Sequence, residues 1–221
     1  MNYLKQLTLG SALALAGVAQ AGIIVDSFTD PLAGATLSIV NPPGPLTVLD
    51  GPTTGAGILG TRNLAYTITP SSGPTVDAVK INILPYGNYL VETADNDGSP
   101  DLVLNYSGFT ADLLGDNRLF LHNYTTDANL EKVQAWITDG SANVSSSGWV
   151  SVPGNSSGDL ALTLLGTANL ADIVNIQVEF MGDPGADFTL ASIVAAPEPS
   201  TYGALPALGL LGTVIWRRAR A

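Results

Sequence analysis

Three aspartates crowd into one short polar stretch, the string D-x-D-G-x-x-D formed by Asp95, Asp97 and Asp101 with a glycine between them. Calcium is bound by loops in which several carboxylate and carbonyl oxygens converge on one ion. The pattern therefore makes these three aspartates candidate calcium ligands. It does not fit an EF-hand, which would need an acid at Thr93 and a bidentate glutamate at Leu104. A solvated hairpin turn uses the same residue types without any ion, and it stays the alternative.

Two tryptophans are candidates for a carbohydrate-binding surface, which needs flat aromatic rings beside hydrogen-bonding groups. Trp136 shares the polar side of a strand-like run with Lys132 and Gln134, and Trp149 follows Gly148 in a stretch rich in serine and glycine. The competing interpretation is packing, because tryptophan commonly covers the edge of a core while its polar end stays wet.

The residue inventory argues against an enzyme. The chain has no cysteine and no Gly-x-Ser-x-Gly stretch, and its single histidine, His122, lies where it is expected to face solvent or the rim of a sheet. Paired carboxylates could still hydrolyse a glycoside. Nothing in the spacing of Glu92, Glu131 and Glu179 selects such a pair. We therefore expect no catalysis, with a carboxylate-based glycoside hydrolase as the weaker alternative.

The elements that must position these residues have the pattern of β-strands, because apolar residues recur with a period of two. The alternation is clearest at 79–83, 102–106, 133–137, 174–180 and 188–192. In the fourth run it predicts that Val174, Ile176, Val178 and Phe180 share one face. Turn-forming residues separate the runs, and no stretch keeps a helical period for three turns. Residues 22–196 are therefore predicted to form one all-β domain, an antiparallel β-sandwich.

Residues 22–196 also carry a strong negative charge. They hold four basic and 18 acidic residues, a net charge of −14. Recognition of phosphate needs clustered lysine and arginine, so we expect no nucleic acid partner. The absence of cysteine removes disulfides and soft-metal sites. A domain that binds cations or faces neutral polymers fits this charge.

The N-terminus has the pattern of a secretory signal peptide. Lys5 supplies a positive start, residues 7–18 form an apolar segment, and Ala19-Gln20-Ala21 is a small-x-small cleavage site. We expect residues 1–21 to form a signal-peptide helix that the general secretion machinery uses. Signal peptidase is expected to recognise Ala19 and Ala21 and to cut after Ala21, which leaves Gly22 as the first residue.

The C-terminus places three elements in a fixed order: Pro197-Glu198-Pro199, an uncharged segment at 201–216, and the basic residues Arg217, Arg218 and Arg220. The uncharged segment is 16 residues long, just short of the usual length for a membrane-spanning helix. Trp216 at its end suits the headgroup region, and the arginines are expected to stay in the cytoplasm. Residues 197–221 therefore predict an extended segment followed by a transmembrane helix.

This order of elements resembles the PEP-CTERM sorting tail of exported Gram-negative proteins, a tail also described as the ice-binding protein C-terminal region. The resemblance implies recognition by an exosortase, a membrane transpeptidase-like enzyme, through Pro197, Glu198, Pro199 and the terminal arginines. It implies a precursor held transiently in the inner membrane, cut near the Pro-Glu-Pro motif, and delivered to the cell surface or the extracellular matrix.

The body loosely resembles bacterial jelly-roll domains, including carbohydrate-binding modules, at the stretches 24–28, 60–64, 169–173 and 186–190. Such domains often hold a structural ion between their first and last strands. The resemblance therefore implies a jelly-roll-like sandwich, with Asp26 and Asp187 as further candidate calcium ligands.

The sequence as a whole predicts an exported structural or adhesive protein associated with exopolysaccharide, in a biofilm matrix or on the cell surface. A carbohydrate-binding module is the alternative. A structural calcium ion would fit either function.

Overall fold

The computed structural model describes residues 22–29, 37–39, 46–70, 79–84, 89–93, 98–113, 117–127 and 131–196. Within these residues the chain forms sixteen β-strands and one 3₁₀ turn, Leu170–Asp172. The strands are β1 Ile23–Asp26, β2 Leu37–Ile39, β3 Leu46–Thr53, β4 Thr61–Pro70, β5 Val79–Leu84, β6 Tyr89–Thr93, β7 Gly98–Ser107, β8 Arg118–Thr126, β9 Glu131–Asp139, β10 Val144–Ser146, β11 Val150–Val152, β12 Ser157–Thr163, β13 Leu165–Gly166, β14 Ile173–Gly182, β15 Asp187–Leu190 and β16 Ser192–Ala196.

The strands form two antiparallel sheets. The first sheet is built around β8, which pairs with β12 on one side and with β15 and β16 on the other; β16 continues to β1, and β15 continues through β6 and β5 to β2. The second sheet has the order β3-β4-β7-β14-β9-β10-β13, with β11 also paired to β9. The predicted all-β, antiparallel two-sheet architecture is confirmed.

The two sheets enclose one apolar core, because their inward positions alternate with outward ones as a pleated strand requires. In β9 the inward side chains Val133, Ala135 and Ile137 are fully buried. Across the core, the rings of Phe180 on β14 and Phe188 on β15 lie 4.7 Å apart, so the two sheets are in direct contact.

Two strands depart from simple alternation. In β14, Ile173 is buried and Val174 is only half-buried, because the register against β9 shifts between Ile173 and Asn175. The sequence prediction that Val174 shares the inward face was therefore wrong. In β8, Asn123 has a positive φ of 50°, which moves Tyr124 to the inside while His122 stays outward. His122 lies outward as expected and is paired with Asp159 at 3.1 Å.

The predicted terminal helices fall on residues 1–21 and 197–221, which lie outside the described residues. None of the helical segments among the described residues has the length and apolar character that crossing a membrane requires.

Candidate functional site

The outward side of the second sheet presents a band of half-buried polar side chains, here called the polar face. Antiparallel pairing brings outward residues of neighbouring strands level with one another, so the band crosses β4, β7, β14 and β9. Its members are Asn63, Asp101, Asn105, Lys132, Gln134, Trp136, Asn175, Gln177 and Glu179.

Trp136 lies near the β10 end of the polar face, between amide and hydroxyl groups. It is level with Gln177 on β14 and with Ser146 on β10. The side-chain amide of Gln134 donates a hydrogen bond to the Ser146 hydroxyl at 3.0 Å. The ring is half-buried, so it contributes both to packing and to the surface. In β9, Trp136 lies on the outward side with Lys132 and Gln134, as the alternation predicts.

Trp149 stands beside the same face, in the connection before β11. It is 45% exposed, one of the few large apolar side chains that the described residues leave in solvent. The ammonium nitrogen of Lys132 lies 5.7 Å from the centre of its ring, a cation–π contact that fixes one side of the indole. Gly148 supports this arrangement with a φ of 62°. Both tryptophans predicted from the sequence therefore lie at β9: Trp136 is on the same strand as Lys132, and Trp149 contacts the Lys132 side chain.

Farther along the face, two asparagines form an ordered amide pair. The Asn175 side-chain amide donates to the Asn105 side-chain oxygen at 2.7 Å and to the Tyr106 carbonyl at 3.0 Å. Asn105 and Asn63 also line a depression of about 340 Å³ whose other walls include the exposed Leu49. The face thus combines hydrogen-bonding groups with an apolar recess.

Asp101 on β7 and Glu179 on β14 are neighbours on the polar face. Burial raises the pKa of Asp101, and the hydrogen bond to Glu179 opposes that rise. Burial, followed by the charge of Asp101, raises the pKa of Glu179. Asp101 pairs with Met181 in the β7–β14 ladder, so Asp101 and Glu179 are diagonal neighbours on one sheet face.

Asp26, a predicted calcium ligand, has its carboxylate occupied by protein donors. One oxygen accepts from the Phe28 backbone at 2.8 Å, and the other accepts from Arg62 at 2.7 Å and from the Tyr106 hydroxyl at 2.9 Å. Burial raises the pKa of Asp26, while Arg62 and the hydrogen bonds act in the opposite direction. The group is a structural ion pair at the end of β1.

Of the other predicted ligands, the described Asp101 and Asp187 lie on strands of different sheets. Asp101 is on the polar face, whereas Asp187 begins β15 and lies among the acidic neighbours of Glu131. Asp95 and Asp97 lie outside the described residues. Among the residues that are described, no three histidine or acidic side chains already converge as metal ligands. A calcium ion at any of these predicted residues stays a prediction.

Sequence reasoning missed two buried acids at the ends of β9. The alternation of Val133, Ala135 and Ile137, continued by two residues in each direction, puts Glu131 and Asp139 on the inward face, and both are buried. Asp139 is fully satisfied by hydrogen bonds from Ser141, Asn143 and Asn169. Glu131 has no such partners among the described residues. The sequence signal that could have found these acids is a charged residue that continues the two-residue period of an apolar strand face.

Solved structures with a similar fold include carbohydrate-binding modules. One is the family 11 module of the cellulosomal cellulase Lic26A-Cel5E of Clostridium thermocellum, with 14% identity, 80% of this chain and 95% of that chain covered, and a TM-score of 0.38. Another is a carbohydrate-binding module in complex with β-1,4-galactotriose, with 12% identity, 60% and 82% coverage, and a TM-score of 0.34. No curated protein matches the chain.

An agarase is also similar, with 12% identity, 59% of this chain covered and a TM-score of 0.38, but this chain spans only 25% of that enzyme. The sequence match lies at the C-terminus and begins within β16. There, residues 195–220 match a family model described as the PEP-CTERM protein-sorting motif. The chain therefore carries a PEP-CTERM sorting motif behind a body that folds as a β-sandwich.

Proposed function

We propose that this chain is an exported protein that an exosortase sorts through its tail, and that its polar face binds a neutral polysaccharide. In this function the protein is a structural or adhesive component of the cell surface or of an exopolysaccharide matrix. The precursor would be anchored in the inner membrane until it is cut near Pro197-Glu198-Pro199. The sorting motif at 195–220 supports the export and processing steps.

The observation that carries glycan binding is the combination of aromatic and amide groups on one sheet face. Trp149 is exposed, Trp136 is half-buried on the adjacent strand, and Gln177 and Asn105 lie along the same face. A sugar ring stacks its apolar side on an aromatic ring, while its hydroxyls exchange hydrogen bonds with amides. The polar face supplies both kinds of group on the rigid scaffold of paired strands.

Charge favours a neutral glycan as the ligand. Residues 22–196 carry a net charge of −14, and the polar face includes the acids Asp101 and Glu179. Lys132, a positive group on this face, is already placed against the Trp149 ring. A uronic-acid polymer or nucleic acid would be repelled by the net negative charge of residues 22–196, which lowers its association rate and affinity.

The positions of the two acids on the polar face support binding of a glycan without its hydrolysis. Asp101 and Glu179 are diagonal neighbours on adjacent strands of one sheet face, so they do not form two walls of a cleft around a glycosidic bond. His122, the histidine of the chain, is paired with Asp159 on the other sheet.

Affinity electrophoresis tests the proposal on the full-length chain kept in a mild detergent. The chain runs through gels that contain either a neutral polysaccharide, such as a β-glucan or a galactan, or an acidic one, such as alginate. We expect a neutral polymer to retard the protein and alginate to leave its mobility unchanged. Unchanged mobility across a panel of neutral polymers would overturn the glycan-binding part of the proposal.

A further inference from the structure

A row of apolar side chains crosses the outward side of the first sheet. Val194 on β16 is paired with Ile24 on β1 and with Phe120 on β8. Phe120 is paired in turn with Ala161 on β12. Residues paired in this way point to the same side of a sheet. Ile24 is 54% exposed, Ala161 is exposed, and the other two are half-buried. These four residues, here called the apolar row, form a strip of apolar surface four strands wide.

A recess extends this strip beyond β1. It has a volume of about 340 Å³, and its walls include Ile24, Ala56, Ile58 and Leu59. Single apolar side chains on a surface need no explanation, whereas an apolar area that continues from one element to the next marks an interaction site. The outward side of the first sheet therefore differs in chemistry from the polar face, which lies on the opposite side of the sandwich.

Charged side chains border the apolar row along β8. On one side, the Arg118 guanidinium lies 5.5 Å from the centre of the Phe120 ring, and Arg118 belongs to neither of the two ion pairs found among the described residues. On the other side, the His122 ring lies 5.8 Å from the Phe120 ring and is paired with Asp159. An arginine beside apolar and aromatic side chains suits the boundary between lipid headgroups and acyl chains.

The apolar row includes the two strands to which the expected membrane segments are joined. Ile23 is paired with Ala195, so β1 begins beside the end of β16, one strand spacing of about 4.7–4.9 Å away. The expected signal peptide joins the chain at the start of β1. The uncharged segment at 201–216 begins five residues after Ala196, the end of β16. Five residues reach at most about 17 Å, so the row lies close to the point where the tail of the precursor would enter the membrane.

We propose that the apolar row is the surface with which the anchored precursor lies on the lipid bilayer. This inference rests on the proposed anchoring of the precursor by its tail. A short tether keeps the row at a high effective concentration beside the lipid, so a weak apolar contact is enough to orient the domain. Ile24 and Phe120 then meet the acyl boundary, while Arg118 reaches the lipid phosphates. The net charge of −14 on residues 22–196 opposes tight binding to anionic lipid, which makes the contact depend on the tether.

This orientation turns the polar face away from the bilayer. The two sheets of a sandwich present their outward sides in opposite directions, so the polar face is open to a glycan while the apolar row is covered. Cutting near Pro197-Glu198-Pro199 removes the tether, and the contact with lipid is then lost.

Fluorescence from single engineered cysteines tests this orientation. The chain has no cysteine, so Ala161→Cys and Ser151→Cys can each carry one nitrobenzoxadiazole label. Ala161 is exposed on the first sheet, and Ser151 is exposed on the second. The full-length chain is reconstituted into vesicles of phosphatidylethanolamine and phosphatidylglycerol, and flotation identifies the vesicle-bound protein. We expect the label at 161 to emit at shorter wavelength and to be quenched by spin-labelled lipid, whereas the label at 151 emits as in water and is not quenched.

Two matched variants, both labelled at 161, separate a specific contact from the effect of charge. Ile24→Glu places a carboxylate in the apolar row and should abolish the shift and the quenching. Val144→Glu adds the same charge at a 46% exposed position on the second sheet and should leave both signals unchanged. An equal loss in the two variants would overturn the inference, and so would equal signals from the labels at 161 and 151 in protein that floats with the vesicles. A chain that does not float would overturn the proposed anchoring, and this inference with it.

Discussion

The guanidinium of Arg62 and the carboxylate of Asp26 form a fully buried ion pair, with 2.7 Å between the charged groups. It joins the end of β1 in the first sheet to β4 in the second, and the Tyr106 hydroxyl on β7 binds the same carboxylate oxygen. The pair therefore spans the core and connects both sheets at the N-terminal edge. Arg62 also lies 5.9 Å from the centre of the Phe28 ring.

Removing one partner of this pair should be far more harmful than removing both. Arg62→Met leaves the Asp26 carboxylate buried without its cation, and we expect a loss of about 3–5 kcal/mol in the free energy of unfolding. The double variant Asp26→Asn with Arg62→Met should recover part of that loss, because no buried charge remains. Urea denaturation of the single and double variants checks this. Additive losses in the double variant would show that the two groups are not coupled.

Gly60 should tolerate no side chain, whereas the neighbouring Gly108 should tolerate one at a modest cost. Both have positive φ, 70° and 74°. An added Cβ at Gly60 would overlap the Ser107 carbonyl oxygen and lie 2.8 Å from the Phe109 ring, but at Gly108 it meets only the Thr61 hydroxyl at 3.5 Å.

We expect Gly108→Ala to lower the free energy of unfolding by about 1–2 kcal/mol, the strain of a left-handed residue, and Gly60→Ala to lower it further. Chemical denaturation of the two variants measures the difference. Equal losses would mean that the backbone at Gly60 moves to accommodate the methyl group.

Asp139 should make the fold sensitive to acid. Hydrogen bonds from the Asn143 side chain and then from the backbone of Asn169 lower the pKa of Asp139 to about 2, below its ordinary value of 3.8. Because the folded-state pKa is the lower one, this contribution to stability is present above about pH 4 and is lost as the pH falls towards 2.

The urea midpoint of the wild type should therefore fall between about pH 4 and pH 2 more steeply than that of Asp139→Asn, which is uncharged throughout. In Asp139→Asn the amide nitrogen also faces the Asn169 N–H, so this variant should be less stable at neutral pH. Parallel pH profiles for the two proteins would contradict the role of Asp139.

Part of this architecture could be predicted from the sequence. The period of two correctly predicted which residues of β9, β7 and most of β14 face the core, because a half-buried strand alternates apolar and polar side chains. It failed at Val174, where a register shift changes which side faces the core. Such irregularities depend on the partner strand and leave no periodic signal.

The sites were harder to predict than the strands. The polar position of Trp136 followed from alternation with Lys132 and Gln134. In contrast, the exposure of Trp149 depends on the irregular connection between β10 and β11. The partner of Arg62 comes from a strand far along the chain, so only the folded structure brings Asp26 to it.

Sorting should depend on the Pro-Glu-Pro motif. Replacing Pro197, Glu198 and Pro199 by alanines should leave a full-length precursor in the inner-membrane fraction of a host that has an exosortase, whereas the wild type is shortened and leaves the membrane. Intact mass and cell fractionation measure this. The wild type in a host without exosortase is the matched control, and a shortened product there would show that a different protease acts on the tail.

Glycan binding by the polar face of the second sheet is tested most directly by isothermal titration of the full-length chain with an oligosaccharide of the polymer that retards it. The titration compares the wild type with Trp149→Ala, Trp136→Ala and Phe120→Ala. Phe120 is the aromatic control, because it lies half-buried on the outer side of the first sheet beside His122.

We expect either tryptophan variant to weaken binding about five- to tenfold, or roughly 1–1.4 kcal/mol, and the Phe120 variant to bind as the wild type does. The reverse pattern, with binding lost only in Phe120→Ala, would contradict the account and move the binding surface to the other sheet.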